Sequence, residues 1–178
     1  FTQDKVNQSV RKSLSNLKVN SLECLYLHQN DCKIMDDRYI NQALESIKKN
    51  KFAKTIGVSI YKLEELELAL QKDIFDIIQL PVNIANTFLY DIAKKNKANK
   101  KIIGRSVLLQ GTLLNIENFN DKFNYKSNII KYIQFLKELS YYNKIDYTEM
   151  ILSYVFNLSD LDHVILSSRN KDNFTNIV

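Results

Sequence analysis

Glycine is scarce in this sequence, with three residues in 178. They supply neither a GxGxxG run nor a P-loop, which weakens any reading as a doubly wound dinucleotide fold. Cysteine is scarcer still. Cys24 and Cys32 are the two present, too few for a disulfide framework in a chain of this length. Cys24, His28 and Cys32 are evenly spaced, which raises the question of a metal. On an extended strand Cys24 and His28 stand roughly 13 Å apart, too far to share one ion. No further ligand lies nearby to complete a tetrahedral zinc set, so no metal site is expected. Cys24 lies in an apolar run and reads as a small core residue. No uninterrupted apolar run of about 18 residues exists, so no membrane-spanning helix is expected. No signal peptide opens the chain, and a cytoplasmic location is the default expectation.

What is present reads as an ordinary soluble globular protein: 45% hydrophobic, 11% aromatic and 25% charged residues. The net charge is +5. A basic surface attracts anions, and a nucleic-acid-associated protein is one reading of that charge. The densest basic stretch, Lys94 to Lys101, reads instead as a solvated helix end, where lysine suits the dipole. No nucleic-acid-binding motif accompanies it.

Periodicity gives the organisation. Val6, Val10, Leu14 and Leu17 have helical spacing. Residues 22–28 form a short apolar run that suits a buried strand. Helical spacing returns at Ile40, Ala43, Leu44 and Ile47. Residues 53–59 predict a second strand, and Leu63, Leu66 and Leu70 a third helix. A third strand covers 75–79 and is closed off by Pro81. A short helix is expected over 85–96 and a strand from Lys101 to Leu109. A polar loop occupies 110–127. Two amphipathic helices follow, at 129–136 and 147–158, then a strand at 163–166 and a helical tail. Short apolar strands alternating with amphipathic helices predict an α/β protein with a parallel sheet covered by helices, in a single domain over 1–178. An open doubly wound sheet and an arc of a (β/α)8 barrel both fit this rhythm.

The strands end on polar residues: His28, Ser59, Gln79, Arg105 with Ser106, and Ser167, Ser168 and Arg169. In parallel α/β folds the ligand site lies at the carboxyl ends of the strands. An imidazole there can orient a carbonyl oxygen, or serve only to bond a neighbouring loop. Gln79 needs partners if buried, from a ligand or a loop. Arg105 suits a phosphate, a ring or an interstrand ion pair. His163 precedes its strand and reads as structural or exposed. Tyr141 and Tyr142, near a helix end, read as packing or interfacial residues.

At these residues the sequence resembles the aldo-keto reductases. Residues 21–28, SLECLYLH, resemble the family's LDLYLLH strand. Residues 43–59 resemble the stretch that ends in its IGVSN motif. Residues 76–83, DIIQLPVN, resemble its glutamine strand, and residues 104–111, GRSVLLQG, the RSVLLQG variant of its seventh strand. Residues 164–168 resemble the eighth. The resemblance runs in order from about residue 5 to the end. It implies an incomplete arc, about five βα units, of a (β/α)8 TIM barrel. It implies an oxidoreductase that binds NADPH or NADH and reduces a small-molecule aldehyde or ketone to an alcohol, with no nucleic acid or membrane partner. His28 matches the family's carbonyl-orienting histidine. Ser59 and Gln79 match residues that hold the nicotinamide carboxamide. Arg105 and Ser106 match the strand bordering nicotinamide and pyrophosphate, and Ser167, Ser168 and Arg169 the segment that meets the adenosine phosphate.

The departures are specific. The asparagine of the IGVSN motif is Ile60 here. The family's catalytic aspartate, tyrosine and lysine lie on earlier strands and loops, and no residue of this chain matches them. The sequence opens at Phe1 rather than Met and ends at Val178 inside a helical pattern. An open arc would leave two bare sheet edges and is expected to be unstable as a free monomer. Upstream strands are therefore expected. Pairing with another chain, or closure into a different sheet, are the alternatives. A non-catalytic barrel remnant, acting as a binding or regulatory module, is the rival functional reading.

Overall fold

The structure is a computed structural model and describes residues 3–28, 31–115 and 127–167. Helix α1 (Gln3–Leu17) leads into strand β1 (Leu22–Leu27). A short turn of helix, α2 (Cys32–Met35), precedes α3 (Arg38–Lys49), and β2 (Ala53–Ser59) follows. Then come α4 (Leu63–Gln71), β3 (Ile77–Pro81), α5 (Phe88–Asn96) and β4 (Lys101–Arg105). A 3-10 turn at Leu109–Gly111, helices α6 (Ser127–Asn143) and α7 (Tyr147–Phe156), and β5 (His163–Val164) complete the order.

The helix starts have visible causes. The Asp37 carboxylate accepts from the N–H groups of Tyr39 and Ile40 and caps α3, and Asp146 accepts from Glu149 N at the start of α7. Helix α5 begins three residues later than its apolar pattern suggests. Asn83 and Asn86 exchange backbone hydrogen bonds, and the Asn86 side chain accepts from Phe88 N. Those bonds hold the chain in a turn until Phe88.

All five strands are parallel and stand in the order β1-β2-β3-β4-β5. This order decides between the two architectures. Right-handed crossovers between sequential neighbours put every helix on the same face. A doubly wound sheet must reverse its order to cover both faces. The sheet is accordingly an arc of a β/α barrel. The helix-facing side is apolar throughout: Ile56, Val58, Ile78, Leu80 and Ile102 are fully buried, in one core with Leu44, Ile47, Leu66 and Ala93. Burying each such side chain contributes about 1.5–3 kcal/mol. Gly104 sits where a Cβ would come within 2.6 Å of Val82, so β4 meets the residue after β3 too closely for any side chain.

Two aspartates repeat one device at the amino-terminal end of the sheet. Asp76 donates its N–H to Ile56 O and accepts from Ile56 N at 2.8 Å through its carboxylate. Asp162 does the same with Ile102, 2.9 and 2.8 Å. Each thus completes the backbone ladder of the preceding strand. Each also meets a lysine: Lys48 of α3 lies 2.9 Å from Asp76, and Lys97, just after α5, 3.9 Å from Asp162.

Several expectations change in detail. Strand β4 ends at Arg105, not Leu109, because Ser106 has φ +58° and turns the chain out of the ladder. Strand β5 is confined to His163–Val164. Cys24 is half-buried on the face away from the helices, not in their core, and burial pushes its thiol up. Both Tyr141 and Tyr142 are exposed, at 88% and 84%, so neither ring packs inside the chain. The basic run closes α5 as expected, and three of its lysines are engaged within the chain. Lys94 pairs with Asp91, Lys97 with Asp160, and Lys100 donates to the carbonyls of Lys72 and Phe75.

Candidate functional site

Strand parity assembles the site. The register sets Ser59 beside Gln79, Gln79 beside Ile103, and Arg105 beside Pro81. Alternate residues share a face, so Ser59, Gln79 and Arg105 project from the side opposite the helical core. Ser59 and Arg105 close their strands, whereas Gln79 lies within β3, which runs over Ile77–Pro81 rather than 75–79 because Leu80 and Pro81 still pair with Gly104 and Arg105.

A directed hydrogen-bond chain joins them. Arg105 Nε donates to Ser59 Oγ at 3.2 Å, and Ser59 Oγ donates to Gln79 Oε1 at 2.9 Å. A guanidinium only donates. The serine hydroxyl must therefore accept from it and pass its own proton on. Gln79 can receive that proton only through its carbonyl oxygen, which fixes the amide orientation. Its Nε2 group makes no other hydrogen bond among the described residues and is left as a donor. Ser59 is 1% exposed, so this chain works in a water-poor setting, where hydrogen bonds are electrostatically stronger.

Arg105 is held on several sides. Its terminal nitrogens donate to Ser106 Oγ at 3.2 Å and to Ile60 O at 2.9 Å. Its Cζ lies 3.8 Å from the centre of the Tyr61 ring. Burial lowers the Arg105 guanidinium from its usual value, while the neighbouring Tyr61 and Glu65 pull it back up. It stays cationic at any physiological pH. Ser106 is placed by its left-handed backbone and by Asn83, whose Nδ2 donates to Ser106 O at 3.4 Å.

The remaining residues stand apart from this cluster. His28 follows β1 directly and is exposed; its neighbour Leu27 pairs with Val58, so the imidazole residue stands abreast of Ser59 at the same end of the sheet. Ser167 lies beyond β5 and is exposed. Ser168 and Arg169 fall outside the described residues, as does the tail after them. The Ile60 side chain is fully buried in the helix-side core, so it offers the site no side-chain polar atom, and only its backbone carbonyl takes part, accepting from Arg105. No group of three metal-ligating side chains occurs among the described residues. No helix there is long and apolar enough to cross a membrane.

Two contributors escaped the sequence reading. Tyr61 supplies the ring beneath Arg105. Glu65 accepts from the N–H groups of Tyr61 and Lys62 at 2.7 and 3.1 Å and fixes the turn that presents that ring. The glutamate three residues after Lys62 is half of a capping-box signal, but lysine in place of serine or threonine hides it. Nothing in the sequence marks the Tyr61 contact, which spans two strands.

The Aldo/keto reductase family model matches residues 1–178. Among solved structures, the fold resembles the holo form of an aldo-keto reductase from Bacillus halodurans, with a TM-score of 0.77 at 15% identity, over 99% of this chain and 60% of that one. A glycerol dehydrogenase from Gluconobacter oxydans gives 0.69 at 16% identity, over 99% and 63%. An aldo/keto reductase from Klebsiella pneumoniae, solved with NADP and acetate, gives 0.67 at 13% identity, over 96% and 57%. The chain thus spans about 60% of the length of these structures. No curated protein matches the sequence.

Proposed function

The chain belongs to the aldo/keto reductase family, and from that membership we propose that the protein reduces an aldehyde or ketone to an alcohol with NADPH or NADH. The observation that carries this reading is the Arg105–Ser59–Gln79 hydrogen-bond chain across β4, β2 and β3. The donor set fits a nicotinamide dinucleotide. Gln79 Nε2, unpaired among the described residues, is an amide donor suited to a carboxamide oxygen, and Arg105 with Ser106 offers a cation and a hydroxyl beside it. The fit has one gap, because the Ile60 side chain contributes only buried apolar surface. Residues 1–178 act in this reading as one barrel unit.

When bound, the dinucleotide supplies a hydride. The residues of this chain do the rest of the work assigned here. Ser59 and Gln79 orient the carboxamide, and Arg105 and Ser106 meet the adjoining ring and phosphates. Ser167, Ser168 and Arg169 meet the adenosine phosphate. His28 donates from its imidazole to the substrate carbonyl oxygen and so orients the carbonyl. The proton donor to the product alcohol is assigned to no residue of this chain.

Burial of Ile60 favours a second reading, a non-catalytic barrel that binds a ligand or regulates a partner. One pair of measurements separates the two. The full-length protein is titrated with NADPH and NADH, followed by cofactor fluorescence, and then given a panel of aldehydes and ketones. Saturable binding with carbonyl-dependent oxidation of the cofactor is expected. Binding without turnover on any carbonyl would favour the second reading. No binding of either dinucleotide at millimolar concentration would overturn the reductase reading and the cofactor roles of Ser59, Gln79 and Arg105.

A further inference from the structure

We propose that Tyr61 is a positioning residue that sets the direction of the whole hydrogen-bond chain at this site, by holding the Arg105 guanidinium flat against its ring. The argument starts from what the ring does not do. Tyr61 is 54% exposed and stands outside both apolar clusters of the chain. Its ring is therefore poorly explained as core. Its centre lies 3.8 Å from Arg105 Cζ, well inside the range in which a guanidinium is attracted to an aromatic face.

That contact has a consequence two residues away. Arg105 Nε points at Ser59 only while the guanidinium plane keeps its orientation. The other bonds of the group, to Ser106 Oγ and Ile60 O, use its terminal nitrogens and leave it free to tilt about them. The ring blocks that tilt. With Nε in place, Ser59 is obliged to donate to Gln79 and Gln79 is obliged to present Nε2. With Nε displaced, the serine hydroxyl and the glutamine amide can each reverse, and the site shows an acceptor where it had a donor. Glu65 completes the device from helix α4, because its carboxylate holds the backbone N–H groups of Tyr61 and Lys62. The turn after β2 thus controls polarity across β2, β3 and β4.

The role in cofactor binding rests on the function proposed above; the positioning of Arg105 does not. The experiment reads both, in the full-length protein. Arginine side-chain NMR reports the Nε–H of Arg105, which a ring stacked against the guanidinium shifts upfield. NADPH and NADH affinities are measured on the same samples. In Tyr61→Leu the upfield shift is expected to vanish and cofactor affinity to fall roughly three- to tenfold, in keeping with the loss of one cation–π contact. In Tyr61→Phe both are expected to be retained, since the phenol hydroxyl takes no part. A thermal midpoint close to the parent's in both variants is expected, because the ring is half in solvent. An Arg105 signal unchanged in Tyr61→Leu would overturn the proposal, and so would an unchanged cofactor affinity in a parent that binds cofactor. If the parent binds neither dinucleotide, the proposed function falls, and the exchange rate of the Arg105 Nε–H with water, slow while it is bonded to Ser59 and expected to rise in Tyr61→Leu but not in Tyr61→Phe, still decides the positioning role.

Discussion

Arg105 concentrates the chemistry of the site in one side chain. Its three nitrogens donate to three different oxygens, from Ser59, Ser106 and Ile60, while its Cζ lies over the Tyr61 ring at 3.8 Å from the centre. A lysine keeps the charge but has neither the plane nor the fork. Arg105→Lys is therefore expected to weaken dinucleotide binding by roughly an order of magnitude, the loss of an oriented hydrogen bond and a stack. Isothermal titration of the full-length variant checks this. Parent-like affinity would mean that only the charge of Arg105 matters and that its ordered contacts are incidental. Ser59→Ala is a useful companion. It removes the relay but leaves the guanidinium, so its effect measures what the orientation of Gln79 is worth.

At the scale of elements, the alternation of strand and helix was legible because each periodic run has one dominant cause. Ile40, Ala43, Leu44 and Ile47 can share one face only on a helix, and all of them are buried. The polar site residues were legible for the same reason: Ser59, Gln79 and Arg105 interrupt apolar runs, although β3 continues past Gln79 to Pro81. The end of β4 was not. Val107 and Leu108 continue the apolar run of β4, but Ser106 turns left-handed before them. Hydropathy cannot register a backbone angle. Strand order was equally invisible, since the same rhythm serves a barrel and a doubly wound sheet. The work of Asp76, inside the third predicted strand, and of Asp162, just before the last, was hidden too, because it depends on which strand lies beside them. Each clasps the backbone of the preceding strand, and Asp76 also binds Lys48 of α3. Asp76→Ala strands a backbone N–H and a partly buried ammonium together. A loss of about 1–3 kcal/mol is expected, read as a lower urea midpoint with an unchanged slope. Cofactor affinity should hold, because the clasp lies at the end of the sheet opposite the site. A loss of affinity without a loss of stability would contradict this division of the barrel into a stabilising end and a binding end.

For the molecule as a whole, the two faces of the arc set different demands. The helix side is a closed apolar core. The other side carries half-buried Cys24, Tyr26, Thr55 and Gln79 along its strands. Among the described residues β1 and β5 each have a single strand neighbour, and they are unequal. Strand β1 pairs with β2 over its whole length, from Leu22 to Leu27, whereas β5 joins β4 through Ile103 and Gly104 alone. A full barrel removes such edges by closure. The 178-residue chain prepared by itself is therefore expected to self-associate and to bind an apolar dye. Its amide exchange should be slowest in β2 and β3, which are paired on both sides, and fastest in β5. Sedimentation and hydrogen exchange test this together. A monomer that unfolds cooperatively, binds no dye and protects β5 as well as β3 would show the arc to be self-sufficient. The small pairing of β5 would then have to be compensated by the side-chain contacts of Leu161 and Val164 with the core, and the stability of this piece of barrel would be a property of its helix side alone.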